Sequence, residues 1–216
     1  KFIRSDIKGY KVDEDGKPVE GALFGLFTET DTEFTEENAV LTAKSDADGI
    51  FFFDDIRFGK WIVKELAPAE GFVANDTVFP IDVTTDGAVI EINAENRHIY
   101  GMVHTTKVDK DYPDNLLAGA IFEIYMDVDG NKEFNADVDT LVGEMVEYEP
   151  GLYELENLRY GGYFLYEKQA PANYVKDEAY HYFAIVNDGE MVEVENEAGI
   201  GFINNHMVGN LKIVKN

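Results

Sequence analysis

The stretch that decides the fold is GALFGLF at residues 21–27, because it recurs as GAIFEIY at residues 119–125. About ten residues before each copy stands the same tripeptide, Lys-Val-Asp, at positions 11–13 and 107–109. A pattern that returns at a spacing of about 100 residues predicts two structural units of one kind, each with its own core.

The number of residues that separates equivalent positions in the sequence increases along the chain. It is 96 residues between Lys11 and Lys107, and 108 residues between Asn96 and Asn204. The second unit is therefore expected to carry about twelve additional residues, which such repeats accommodate in loops.

These repeats predict three segments. Residues 1–100 and 101–208 are expected to be complete units, and residues 209–216 to be the first strand of a truncated third repeat, since GNLKIVK at 209–215 matches the start of a unit. No Pro-rich or Ser-rich linker separates the two complete units, so we expect one to follow the other directly.

Nearly every segment of the chain has the pattern of a β-strand. Short runs rich in Val, Ile, Phe and Tyr alternate with period two, and Asp-Gly pairs such as those at 48–49 and 188–189 separate them. No stretch of a dozen residues has a helical stripe. The sequence thus predicts an all-β protein of two tandem Greek-key β-sandwiches.

Composition excludes several classes of function. With 43 acidic and 18 basic residues the net charge is −25, whereas a nucleic-acid partner requires a basic surface. The absence of cysteine excludes disulfides and thiolate chemistry, and two serines leave little room for a serine hydrolase. The apolar runs are too short to span a membrane, so neither nucleic acid nor membrane is an expected partner.

Strand periodicity directs three polar side chains of each unit toward the apolar interior. Lys11 shares a strand face with Ile7, Glu65 with Val63, and Asn96 with Ile92. The second unit repeats the set in the same order. The predicted interior sets are Lys11, Glu65 and Asn96 in the first unit, and Lys107, Glu167 and Asn204 in the second.

Such a set has a specific chemistry. Burial lowers the pKa of an amine and raises that of a carboxyl group, which favours the neutral form of each. A neutral amine is a nucleophile, and a protonated carboxyl group can polarise an amide. An amine held against an amide carbon has a high effective molarity, equivalent to roughly 7–11 kcal/mol of the barrier. The expected product is an amide between the two side chains, with loss of ammonia.

The chain resembles Cna B-type domains, the prealbumin-like repeats of Gram-positive surface adhesins and pilins. The motifs that carry the resemblance are KVDEDGKP at 11–18, KELAPAEGF at 64–72 and EKQAPANY at 167–174, the last being similar to the pilin E-box. The resemblance implies isopeptide bonds Lys11–Asn96 and Lys107–Asn204, promoted by Glu65 and Glu167, with no cofactor required.

The sequence departs from the family pattern at two places. Asn173 stands where Gly usually precedes the aromatic residue, and we expect a changed turn there rather than lost chemistry. Trp61 replaces the usual Tyr, which is expected to be conservative.

The resemblance implies a structural function. The chain would be a stalk or spacer of a bacterial adhesin or pilin, extracellular and anchored to the cell wall. Its partners would be further repeats of the same chain and a host extracellular-matrix protein or glycan. It would not be an enzyme, because its only reaction is single-turnover and self-directed. Two alternatives remain open: a module that binds a host ligand or glycan directly, and an accessory domain of a secreted carbohydrate-active enzyme.

A calcium site is a further expectation. Asp127, Asp129 and Asn131 place oxygen atoms at alternate positions, as in the first half of an EF-hand loop. The loop departs from that motif because Lys132 stands at its sixth position, where Gly is needed, and Val138 at its twelfth, where Glu is needed. The four histidines have no paired metal-ligand spacing.

Overall fold

A computed structural model describes residues 2–209 of the chain, and all its regular elements within that range are β-strands. The chain forms two compact units that divide between His98 and Ile99, near the boundary expected at residue 100. The strand predicted for residues 209–216 lies outside the described residues except for Gly209. Within the described part, no helix is long and apolar enough to cross a membrane.

The first unit consists of two sheets. One has the strand order β4-β1-β7 and the other has the order β3-β2-β5-β6. The strands are β1 (Arg4–Asp13), β2 (Leu23–Thr28), β3 (Leu41–Lys44), β4 (Ile50–Arg57), β5 (Gly59–Ala67), β6 (Val78–Val83) and β7 (Val89–Asn96).

The second unit repeats this plan with more strands. One sheet has the order β11-β12-β8-β17-β14, with β16 also paired to β8, and the other has the order β10-β9-β13-β15. The strands are β8 (Tyr100–Asp109), β9 (Ile121–Met126), β10 (Thr140–Glu144), β11 (Val146–Glu149), β12 (Leu152–Arg159), β13 (Gly161–Gln169), β14 (Tyr174–Val175), β15 (Tyr180–Ile185), β16 (Met191–Glu193) and β17 (Phe202–His206).

The core of each unit lies between its two sheets. In the first unit, Ile7 and Phe51 of one sheet pack against Phe24 and Val63 of the other, and all four are buried. The rings of Phe24 and Phe51 stack with centroids 3.8 Å apart. Gly9 makes this possible, because a Cβ at that position would lie 2.0 Å from the Phe51 ring. The predicted fold, two tandem β-sandwiches, is confirmed.

The first and last strands of each unit are neighbours and run parallel. In the first unit β1 pairs with β7, with Lys11 opposite Ala94 and Asp13 opposite Asn96. In the second unit β8 pairs with β17, with Lys107 opposite Phe202. Parallel partners need a long crossover connection. The other strands of each unit form that connection, because they lie between these two strands in the sequence.

The closing strand is continuous in the first unit and interrupted in the second. Strand β7 pairs with β1 along its whole length, whereas β16 and β17 pair with separate parts of β8. The segment 194–201 separates them, and Asn196 replaces part of the missing ladder by exchanging two hydrogen bonds with the backbone of Ile203, at 2.7 and 3.0 Å. About half of the additional residues of the second unit lie in this segment.

The expectation of a changed turn at Asn173 is wrong. Asn173 has a φ of 73° and the equivalent Gly71 a φ of 82°, and Asn is one of the few non-glycine residues that adopt this left-handed conformation readily. The turn hydrogen bond is also the same, from Tyr174 N to the oxygen of Pro171 and from Phe72 N to that of Ala69.

Candidate functional site

The two lysines singled out in the sequence lie inside the sandwiches. Lys11 and Lys107 are fully buried, because in β1 and β8 buried residues alternate with partly exposed ones up to the lysine, which stands in phase with the buried set. Each ammonium group donates to the backbone oxygen of the residue paired with it, Ala94 at 3.4 Å and Phe202 at 2.7 Å. Strand phase therefore places both amines beside the closing strand.

The first unit brings its three predicted residues together. Lys11 Nζ lies 3.7 Å from Glu65 Oε1, and Asn96 Nδ2 donates to both Glu65 oxygens at 3.0 Å. Glu65 is 6% exposed and Asn96 is 3% exposed. The carboxyl group thus contacts the nitrogen of the amine and the nitrogen of the amide.

The second unit has the same arrangement. Lys107 Nζ lies 3.8 Å from Glu167 Oε1, and Asn204 Nδ2 donates to Glu167 Oε2 at 2.9 Å. The Phe202 ring flanks the amine, with its centroid 5.2 Å from Nζ. Glu167 is fully buried, so this second set is at least as well shielded from water as the first.

Two backbone groups that the sequence did not reveal hold the carboxyl groups in place. Asn75 N donates to Glu65 Oε2 at 2.9 Å, and Asp177 N donates to Glu167 Oε2 at 2.7 Å. Each donor stands ten residues after its glutamate, Asn75 between β5 and β6 and Asp177 between β14 and β15. Asp177 is itself held by the side chains of Asn196 and His181, at 2.8 and 3.0 Å.

The amide oxygens are left without partners. Asn96 Oδ1 and Asn204 Oδ1 are buried and accept no hydrogen bond within the described part of the chain. A buried amide oxygen without a donor costs free energy, and the same defect occurs at equivalent positions in both units. The unpartnered oxygen is therefore a feature of the Lys–Glu–Asn arrangement rather than of one unit.

Burial changes the acidity of the two amines. It lowers the pKa of Lys107 to about 8, against the opposing effect of Glu167. It also lowers the pKa of Lys11, again opposed by the neighbouring carboxylate, Glu65. A larger fraction of each amine is therefore neutral, and nucleophilic, than in an exposed lysine.

This pKa predicts how stability depends on pH when Lys107 is a free amine. In an Asn204→Ala variant, the unfolded lysine with a pKa near 10.4 binds more protons above pH 8 than the folded one. The contribution of Lys107 to the free energy of unfolding is then expected to rise from pH 8 to about pH 10, by on the order of 2–3 kcal/mol. Urea unfolding followed by circular dichroism measures it.

The control is the double variant Asn204→Ala/Lys107→Met, which retains every other titrating group, including the tyrosines. The difference in unfolding free energy between the two variants isolates the lysine. Equal pH dependence in both would show that Lys107 is not deprotonated more easily in the fold.

The acidic residues proposed for calcium lie in the loop between β9 and β10. One oxygen from each of Asp127, Asp129 and Asp139 lies within 4.8 Å of the others. Asn131 lies beside this group and donates from Nδ2 to Asp129 Oδ2 at 2.9 Å. Lys132 has a φ of 64°, so it adopts the conformation for which an EF-hand uses glycine.

One known protein family matches each of the two units separately. The family described as SpaA, prealbumin-like fold domain, matches residues 5–98 and 101–198, which together make up most of the chain. No curated protein sequence matches significantly.

Two solved structures share the fold over nearly the whole chain. The Bacillus anthracis TIE protein is 24% identical with a TM-score of 0.76, over 94% of this chain and 34% of that protein. The pilus adhesin SpaC of Lactobacillus rhamnosus GG is 13% identical with a TM-score of 0.54, over 94% of this chain and 31% of that protein. The chain thus spans about a third of the length of each.

Proposed function

The chain belongs to the family of SpaA prealbumin-like fold domains, and from this premise we propose that it is a structural stalk segment of a bacterial surface adhesin or pilin, stabilised by self-formed Lys–Asn isopeptide bonds. The bonds join Lys11 to Asn96 and Lys107 to Asn204. The observation that carries the proposal is the recurrence of one buried Lys–Glu–Asn set in both units, with Lys on the first strand, Asn on the last strand and Glu on the facing sheet.

The reaction is an acyl transfer within each unit. The neutral amine of Lys11 attacks Cγ of Asn96, a new C–N bond forms, and the bond from Cγ to Nδ2 breaks. The attacking nitrogen loses one proton and the leaving nitrogen gains one, so ammonia departs. Glu65 is near both nitrogens, at 3.7 and 3.0 Å, and is suited to carry that proton.

Burial favours this reaction in two ways. It keeps water from competing with the amine for the amide carbon, and it holds both groups at a high effective concentration. The second unit uses Lys107, Glu167 and Asn204 for the same steps. Since each site is consumed by its own product, the chain is not an enzyme, and the reaction needs no cofactor.

The position of the bonds suits a segment that carries tension. Force that enters along β1 reaches Lys11, crosses directly to Asn96, and continues through residues 97–99 into β8. In the second unit it crosses from Lys107 to Asn204 in the same way. The residues between each pair lie outside the loaded path, so they stay folded while the chain is pulled.

The bonds also restrict the unfolded chain. The bond in the first unit closes a loop of 86 residues, from position 11 to position 96. By analogy with disulfide loops of that length, this stabilises the unit by about 4–5 kcal/mol. A protein without cysteine gains in this way what disulfides supply to many extracellular proteins.

This function sets the expected location and partners. A stalk segment of this kind is extracellular on a Gram-positive cell and linked, through the rest of its own chain, to the cell wall. Further repeats of the same chain are its direct partners, and a host extracellular-matrix protein or glycan would be bound elsewhere in the full protein.

Stretching single molecules tests the load-bearing role. The chain is held at both ends and extended, and the wild type is expected to show no unfolding step from either unit. A Lys11→Ala variant is expected to release the first unit alone and lengthen by roughly 300 Å, at 3.3–3.6 Å per residue. Unfolding steps of that size in the wild type would contradict the proposal, as would an inextensible Lys11→Ala variant.

A further inference from the structure

The loop between β9 and β10 has a buried group of acids that the isopeptide chemistry does not use. Asp127 is 5% exposed and Asp139 is 7% exposed, while Asp129 is open to solvent. One oxygen of each lies within 4.8 Å of the others. Like charges at this distance in a poorly solvated site repel one another, so the group needs a compensating charge.

The chain itself does not supply that charge. Within residues 2–209, none of the three carboxyl groups forms an ion pair. Lys132 stands in the same loop, but its ammonium group lies over the Tyr182 ring, 5.4 Å from the centroid. Only its backbone nitrogen serves the acids, donating to Asp127 Oδ2 at 3.1 Å.

One oxygen in this group has no partner. Asp127 Oδ1 is buried and accepts no hydrogen bond in the described structure. Asp127 as a whole is also almost fully buried. Both oxygens of Asp139 are held in place, by Val128 N at 3.0 Å and by Asn135 N at 2.7 Å. A buried carboxylate oxygen without a donor is the group expected at a cation site.

Acid content alone does not produce this arrangement. The equivalent loop of the first unit, residues 29–40, has five acids, as does 127–139. Within the described residues, however, no group of acids in 29–40 brings its oxygens together. The first unit therefore provides an internal control of equal acid content.

From these observations we infer that Asp127, Asp129 and Asp139 bind a calcium ion. Three carboxylates without histidine form a hard ligand set, which suits Ca²⁺ rather than a transition metal. Their oxygens are no further apart than about two Ca–O bonds of 2.3–2.6 Å. Asn131, which contacts Asp129, orients that ligand. Asp139 takes the closing position that the EF-hand pattern assigns to a residue one place earlier, where Val138 stands.

Titration with CaCl₂ alone, in chelator-treated buffer, tests the site on the whole chain. Calorimetry is expected to show one strong site, and Asp127→Asn is expected to weaken it at least about tenfold, because it removes one of three charged ligands while keeping the shape. Asp137→Asn changes the same charge on an exposed acid of the same loop, and it is expected to change the affinity less than about twofold.

Hydrogen exchange locates the effect. Calcium is expected to slow exchange in residues 127–145 and to leave residues 29–44 unchanged, and the fluorescence of the single tryptophan, Trp61 of the first unit, should not respond. Mg²⁺ at equal concentration is expected to give a much smaller effect, since it requires a tighter octahedral site.

Three results would overturn the inference. They are no heat at millimolar calcium, equal loss of affinity in Asp127→Asn and Asp137→Asn, and equal protection of both loops. The last two would mean diffuse attraction to an acidic surface. Because the test reads calcium rather than mass, it is independent of whether the isopeptide bonds form.

Discussion

A Glu167→Gln variant is expected to lack the cross-link of the second unit and to keep that of the first. Glutamine has the same shape and can still accept the hydrogen bond from Asp177 N, which Glu167 accepts at 2.7 Å. It cannot take a proton from Lys107 and deliver it to the leaving nitrogen of Asn204. Proton transfer of this kind accounts for about 10²–10⁴-fold in rate, so cross-linking should fall from complete to undetectable on the time scale of protein production.

Mass spectrometry of proteolytic fragments measures this effect for each unit. A fragment that joins the peptides containing Lys11 and Asn96 should persist in the variant, and one that joins those containing Lys107 and Asn204 should disappear. Glu65→Gln is expected to give the reverse. Each unit has its own core, which is why the effects should not cross from one unit to the other.

The matched control is Glu123→Gln. Glu123 is also a mostly buried glutamate of the second unit, 7% exposed, but it pairs with Lys168 at 2.7 Å and accepts from Tyr125 at 2.6 Å. Removing its charge should leave both cross-links intact. A fully cross-linked Glu167→Gln protein would show that the glutamate only fills space. A Glu123→Gln protein that lacks the Lys107–Asn204 cross-link would show that the loss of any buried charge in this unit prevents the reaction.

Periodicity was sufficient to predict the parts of the site that belong to strands. A strand alternates its faces, so the phase of Lys11 relative to Ile7 and of Asn96 relative to Ile92 determines that both point inward. The structure brings these residues and Glu65 together. The all-β class was predictable for the same reason, because each strand carries its own alternation, and the two units were predictable from the repeat of about 100 residues.

The parts that belong to loops were not predictable. The donors to the carboxyl groups are the backbone nitrogens of Asn75 and Asp177, and a backbone N–H leaves no mark on the sequence. Asp139 joins Asp127 only because the loop folds back, which a linear motif does not encode. The replacement of Gly by Asn173 does not change the turn, because the backbone there needs only a residue that tolerates positive φ.

The proposed bond would change the set of buried polar groups in each unit. Before the bond forms, each unit contains a buried amine, a carboxyl group and an amide oxygen without a donor, and each of these costs free energy. In the proposed reaction, one neutral amide would replace the amine and the amide, which removes the buried amine and joins the first strand to the last. The oxygen of the Asn side chain remains in that amide as its carbonyl oxygen.

The mass of the intact, denatured chain tests the central claim most directly. We expect it to be lower than the sequence mass of 24.3 kDa by two ammonia molecules, one for each unit. An Asn96→Ala variant should lack one of these losses, and Asn96→Ala/Asn204→Ala should lack both. A wild-type chain that folds but has the full sequence mass would contradict the account, because the two buried lysines would then be structural residues without chemistry.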